Sequence, residues 1–195
     1  MNMAQDAAVG VGVPTLRAGT NVRAFLGYLA LFCVLFLQFP LRGAIAGNMD
    51  FWFAITFSNI YLSHIGSVLS GLAMGTSLYP AASVVSYGES SFLMSAFFIV
   101  PKLMGLSDVW SAYVAVVLVY ALSAFSLYLL VRLHGPGPSA AFLAGFAFCC
   151  SGFVLGHIDS IHTQFYAVAF LAVYFARRYL VCGGWRPLLL SAVLT

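Results

Sequence analysis

VWSAYVAVVLVYALSAFSLYLLVR, residues 109–132, is an almost unbroken apolar run that ends on its first charge, Arg132. A helix crossing the hydrocarbon core of a bilayer needs about 20 predominantly apolar residues, and Val109 to Val131 meets that need outright. Downstream, the turn Gly135-Pro136-Gly137-Pro138 cannot continue a helix, and it separates this run from another, Ser139 to Gly156. Thr163 to Ala176 runs into Arg177 and Arg178, with Leu180 and Val181 lengthening it. Upstream, Ala24 to Phe39 is followed by Pro40 and Arg42. The sequence therefore predicts an all-α integral membrane protein with four transmembrane helices.

Composition agrees. The chain is 63% hydrophobic and 7% charged, against roughly 25% charge in a soluble domain. Its mean hydropathy is +1.01, and 16% aromatic content suits lipid-facing and interfacial surface. The formal charge of +3 rests on basic residues scattered at helix ends, which make no stripe for nucleic acid. The partner they imply is the lipid bilayer. Ala44-Ile45-Ala46 is a faint match to a signal-peptidase site, but the residues after it are again membrane-like, so the first run reads as a retained span. Cys33, Cys149 and Cys150 lie in apolar helices and Cys182 near a basic turn, a pattern of buried small hydrophobes without disulfide or metal-ligand spacing.

Four spans sort the ionisable residues by side. Arg17, Arg23, Arg132, Arg177, Arg178 and Arg186 fall on the starting side, which the positive-inside rule makes cytoplasmic. The expectation is a multi-pass protein of the plasma (inner) membrane with residues 1–23 as a cytoplasmic N-terminal tail. Asp50, Glu89, Asp108, Asp159, His64, His157 and His162 fall on the far side.

Between Arg42 and Asp108, Phe51 to Gly75 and Phe92 to Leu106 are apolar, yet carry hydroxyls, His64, Pro101 and Lys102. If only one of them spanned, Arg132, Arg177 and Arg178 would lie outside. Both are therefore expected to lie on the outer face as amphipathic or re-entrant helices, in a long first external loop of about residues 42–108. Spanning by both would give the same topology elsewhere. Pro187 to Thr195 begins another apolar run and stops, so the chain reads as an N-terminal piece truncated before a fifth span. Ala141, Gly145 and Cys149 repeat at four-residue spacing, followed by Gly152-x-x-x-Gly156, a small-residue pattern that permits close helix approach in lipid.

Few residues could carry chemistry. Asp50 stands beside Phe51 and Trp52, where partial desolvation raises a carboxyl pKa and makes it a better base; it equally suits the N-cap of a following helix. His157-Ile158-Asp159-Ser160-Ile161-His162 is the densest polar cluster. It could hold a divalent metal, a phosphate or a general base, although on a helix 159 and 162 share a face while 157 points elsewhere. Asp159 or Ser160 could instead cap the next helix. Arg42 and Lys102 are cations placed to meet a lipid phosphate or simply to snorkel at helix ends. Glu89 and Asp108 read as solvated loop charges, and Ser107-Asp108 suits a helix start.

The order of these features resembles the GT-C superfamily of multi-pass membrane glycosyltransferases, and within it the bacterial YfhO-type and related lipid-linked-sugar enzymes. The resemblance covers roughly residues 24–186. It is carried by the Asp50 segment, Ser70-Gly71-Leu72-Ala73-Met74-Gly75-Thr76-Ser77-Leu78-Tyr79-Pro80, and Leu103-Met104-Gly105-Leu106-Ser107 with Ala112-Tyr113. Tyr128-Leu129-Leu130-Val131-Arg132, the run Ala140 to Phe148, the His157–His162 cluster and Arg177-Arg178 complete it. Residues 24–195 would be the N-terminal part of a GT-C-type transmembrane domain.

The resemblance implies a long first external loop with two helices parallel to the membrane. It also implies a polyprenyl-phosphate sugar donor and transfer of a hexosyl or pentosyl group on the extracytoplasmic face. It makes Asp50 the catalytic base and maps a second acidic motif to Asp159. Arg42, His157 or His162, with or without a divalent metal, would stabilise the leaving phosphate. The chain departs from many members in having no second acid beside Asp50, and without an acceptor-binding C-terminal region an isolated piece can be inactive. The competing readings are a transporter segment, which would place polar residues deep within the spans, and a non-catalytic membrane scaffold in which Asp50 and Asp159 are caps.

Overall fold

The computed structural model describes residues 18–42, 55–56, 58–59, 62, 92–156, 166–182 and 185–194, and every regular element among them is a helix. Helix α1 (Ala18–Phe36) and the short α2 (Gln38–Leu41) together form one candidate span, Gly19–Leu41. The helix starts before the Ala24 expected from hydropathy, because Thr20, Asn21 and Arg23 can extend a span into its polar margin. The break at Leu37 follows from Pro40, which has no N–H for the Phe36 carbonyl. The Leu37 N–H turns back more tightly to the Val34 carbonyl at 3.4 Å, and the Arg42 N–H closes α2 on Gln38 and Phe39 at 3.2 Å.

Along α1, Ala24, Tyr28, Phe32 and Phe36 recur every fourth residue and are buried. Val22, Leu26 and Val34 point outward and are more than half exposed. An apolar outer face on an apolar helix is what lipid requires and what a water-facing helix avoids.

Helix α3 (Phe92–Leu103) packs against α4 (Asp108–Arg132) across a tight corner. Gly105 takes φ +89°, and two hydrogen bonds close the end of α3: Gly105 N–H to Lys102 carbonyl at 3.0 Å and Leu106 N–H to Pro101 carbonyl at 3.1 Å. That pair of bonds is a Schellman ending, which favours glycine at its left-handed position. Phe98 on α3 is fully buried in the common core.

Helix α4 is the second element long and apolar enough to cross a membrane. It packs against α1, α3, α5 and α7. Its buried faces are largely small: Ser111, Ala112, Ala115, Ala121, Ser123, Ala124 and Ser126. Ser126 turns its hydroxyl onto the Leu122 carbonyl of its own helix at 2.6 Å.

The run Ser139–Gly156 is divided. Helix α5 (Pro138–Cys149) starts with proline in its first turn, and α6 (Gly152–Gly156) follows a break at Cys150-Ser151. The Ser151 hydroxyl accepts the Val154 N–H at 3.3 Å, capping a new helix start. Helix α7 (Ala167–Cys182) continues through Arg177 and Arg178 to include Leu180 and Val181, as Arg is a good helix former; Arg178 donates to the Tyr174 hydroxyl at 3.3 Å. Helix α8 (Trp185–Leu194) folds back on α7, with Ser191 Oγ donating to the Ala172 carbonyl at 3.0 Å. At 12 and 16 residues, α5 and α7 are about 18 and 24 Å long, short of the ~30 Å hydrocarbon core. Among the described residues, two helices have the length and composition of a span.

The centre is an up-down-up trio. Helices α1 and α4 are antiparallel, as Phe25 meets Phe125 (5.4 Å) and Phe36 meets Tyr120 (4.9 Å between ring centres). Helices α1 and α5 are parallel: Tyr28 stacks on Phe142 at 4.3 Å, and Phe32 lies 6.3 Å from Phe146. The repeat Ala141, Gly145, Cys149 is the buried stripe of α5. At Gly145 a Cβ would collide with the Ala124 carbonyl and the Tyr28 hydroxyl, whereas Gly152 faces open space. Gly145→Val should therefore lower stability by about 1–3 kcal/mol through overpacking. Gly152→Ala should stay within about 0.5 kcal/mol. Thermal unfolding of both variants in one detergent measures the contrast.

Candidate functional site

The trio fixes two ends. Asn21, Arg23, Arg132 and Pro138 belong to one; the Tyr128 hydroxyl donates to Asn21 Oδ1 there at 3.4 Å. The opposite end carries the end of α2 with Arg42, the start of α4 with Asp108, and the end of α6 at Gly156. Helix α7 starts beside α5, since Tyr166 meets Phe148 edge-on at 5.3 Å.

Of the sequence-predicted site residues, Arg42 is placed: it is the exposed C-cap of α2, held by its backbone to Gln38, Phe39 and Pro40. Asp50, His157, Asp159 and His162 lie outside the described residues, as do His64 and Glu89. The helix ends that lead toward them are informative. Because α1 and α5 run parallel, both lead away from the Asn21–Arg132 end, α1 into α2 and α5 into α6.

Two charges expected to be independent are joined at the end that bears Arg42. Lys102 Nζ meets Asp108 Oδ1 at 2.6 Å, with both side chains partly exposed. The pair spans the α3–α4 corner, where Ser107 Oγ accepts the Trp110 N–H at 3.5 Å as the N-cap. Asp108 is thus a paired charge at the helix start that Ser107-Asp108 suited, not a loop charge. It sits in the first turn of α4, where the helix dipole favours an anion, and braces the corner.

Beneath this end, tyrosine hydroxyls tie the helices. Tyr113 donates to the Cys33 carbonyl at 2.8 Å, and Tyr120, fully buried, donates to the Val154 carbonyl at 3.1 Å. Tyr28 donates to the Phe142 carbonyl at 2.8 Å nearer the other end. The Cys149 thiol donates to the Tyr120 carbonyl at 3.6 Å. Hydropathy gives no sign of these bonds, although Tyr113, Tyr120 and Tyr128, at spacings of seven and eight, already form a helical stripe. Tyr120, Ser123, Cys149, Val154 and Tyr166 surround a seam with no room for a water molecule, so it is packing rather than a binding cavity. Among the described residues no group of three His, Cys, Asp or Glu side chains gathers to hold a metal ion.

No family model, curated protein or solved structure matches this chain. The site's chemistry rests on its own residues.

A bracing role for Asp108 has a measurable size. Asp108→Asn should cost about 1 kcal/mol or less, as expected for a partly exposed pair plus a helix-end charge. Ser107→Ala should cost about as much through the lost cap. Melting curves of the two variants in detergent check both figures.

Proposed function

We propose that the chain belongs to a membrane glycosyltransferase of the GT-C type, acting on the extracytoplasmic face with a polyprenyl-phosphate sugar as donor. The observation that carries this reading is a shared direction. Helices α1 and α5, which precede Asp50 and the His157–His162 cluster in the chain, run parallel and away from the end that bears Arg23 and Arg132. Those two cations favour placing that end in the cytoplasm.

In this reading the first span is α1 with α2 and the second is α4. Helix α5 with α6 is the third span and α7 the fourth, and α3 belongs to the external loop. The long spans also argue against a transporter. Within Asp108–Arg132 the charges are confined to the two ends, leaving no ionisable relay at mid-depth.

The mechanism follows from Asp50 as general base. Its carboxylate takes the proton of an acceptor hydroxyl, and the oxygen attacks the anomeric carbon of the donor sugar. The bond from that carbon to the phosphate oxygen breaks, and the polyprenyl phosphate departs with the electron pair, giving inversion. Arg42, with His157 or His162, offsets the charge that builds on the departing phosphate, and Asp159 orients the cluster or completes a metal site with it.

Two measurements test this reading. In the full-length protein Asp50→Asn should abolish sugar transfer at normal expression, by at least the 10²–10⁴-fold typical of losing a general base; unchanged transfer rejects the assignment. In single-cysteine variants, a cysteine at position 134 should react with an impermeant thiol reagent only after permeabilisation, and one at 160 without it. The reverse pattern would overturn the topology.

A further inference from the structure

The cytoplasmic end of the bundle contains a feature the transferase reading does not use. Helices α1 and α5, with the end of α4, enclose an open groove of about 510 Å³. Its polar rim is formed by Arg23, Thr20 and Ser139, and its apolar wall by Gly27, Phe142 and Leu143. Arg23 is exposed and has no hydrogen-bond or ion-pair partner among the described residues.

The rim gains further positive character from α5. Its N-cap is Gly137, which offers no side-chain cap, and Pro138 opens the helix. The amides of Ser139 and Ala140 therefore begin a 12-residue helix with no intrahelical acceptor, at the positive end of its dipole. The wall is continuous with the outer faces of the same helices, where Leu26 and Leu143 are 56% and 62% exposed. Gly27 deepens the groove: a Cβ there would press on the Phe142 ring at 3.1 Å.

We propose that this groove binds an anionic glycerophospholipid of the cytoplasmic leaflet. The phosphate sits against Arg23, the hydroxyls of Thr20 and Ser139 donate to its oxygens, and an acyl chain runs along Gly27, Phe142 and Leu143. A soluble phosphate would use the rim but leave the apolar wall bare, and an uncharged lipid would use the wall but leave Arg23 unpaired. Basic recesses between helices on this side of a membrane are suited to such head groups. The inference rests on the bilayer placement and its orientation, not on the sugar-transfer chemistry, so the Asp50→Asn result does not bear on it.

The test is a titration of the purified chain in a neutral detergent with phosphatidylglycerol, phosphatidylcholine or soluble glycerol phosphate. Lipid retention is read by native mass spectrometry and the melting midpoint by thermal unfolding. Phosphatidylglycerol should be retained and raise the midpoint, phosphatidylcholine should do so far less, and glycerol phosphate not at all. Arg23→Gln should weaken phosphatidylglycerol binding roughly fivefold, the contribution of one cation at a membrane surface. Arg23→Lys should keep most of the affinity, and Arg177→Gln, which removes a charge outside the groove, should leave it unchanged. Ser139→Glu adds an acid where a helix start tolerates one, so the fold is kept while lipid retention falls. Equal response to the two lipids, an effect of glycerol phosphate equal to that of the lipid, or equal losses in Arg23→Gln and Arg177→Gln would each overturn the proposal.

Discussion

The bundle depends on how closely α5 approaches its neighbours at Gly145. There the backbone of one helix lies against the Ala124 carbonyl of α4 and the Tyr28 hydroxyl of α1, with no space for a methyl group. In lipid, helices gain little from hiding apolar surface from one another, because the solvent is equally apolar. Close backbone contact and interhelical hydrogen bonds must supply the attraction, and both converge at this point. Tyr28 stacks on Phe142 and donates to that residue's carbonyl, so the contact that needs a glycine on one helix needs an aromatic alcohol on the other.

That same contact arranges the end of the bundle that bears Arg42. It fixes α5 parallel to α1, so two helices separated by more than a hundred residues of chain run in the same direction. Tyr113 and Tyr120 then hold the upper parts of α1 and α6 to α4, setting the rim at that end. The charged Lys102–Asp108 brace sits on the same rim but serves the α3–α4 corner, which leaves Arg42 as the cation at this end whose side chain has no partner among the described residues.

Much of this was legible in the sequence. The run at 109–132 marked the central helix almost to the residue, because apolar length and a terminal arginine are strong local signals. The Ala141, Gly145, Cys149 spacing identified the packing stripe of α5, since four-residue repeats define one helical face. The break at Cys150-Ser151 was not legible, because a serine that caps a new helix and one that sits inside an old helix look alike in hydropathy. The Lys102–Asp108 pair was also hidden: it exists only once Gly105 turns the chain, and a window average does not register that turn. The candidate site was legible only as a sorting of polar residues by side. Of its members, Arg42 is the one the structure places.

The sequence distances of the tying bonds bear on how the protein is made. Tyr28 finds its acceptor 114 residues downstream, Tyr128 returns to Asn21 across 107, and Tyr113 to Cys33 across 80. Helix α1 must therefore wait in the membrane, its tyrosine hydroxyl without its final partner, while more than half the chain is synthesised. At about 5–20 residues per second that wait is on the order of ten seconds. Until α5 arrives to close the trio, the stripe Ala24, Tyr28, Phe32, Phe36 rests against lipid, which is as apolar as the core it later joins, so the wait leaves open bonds rather than exposed apolar surface.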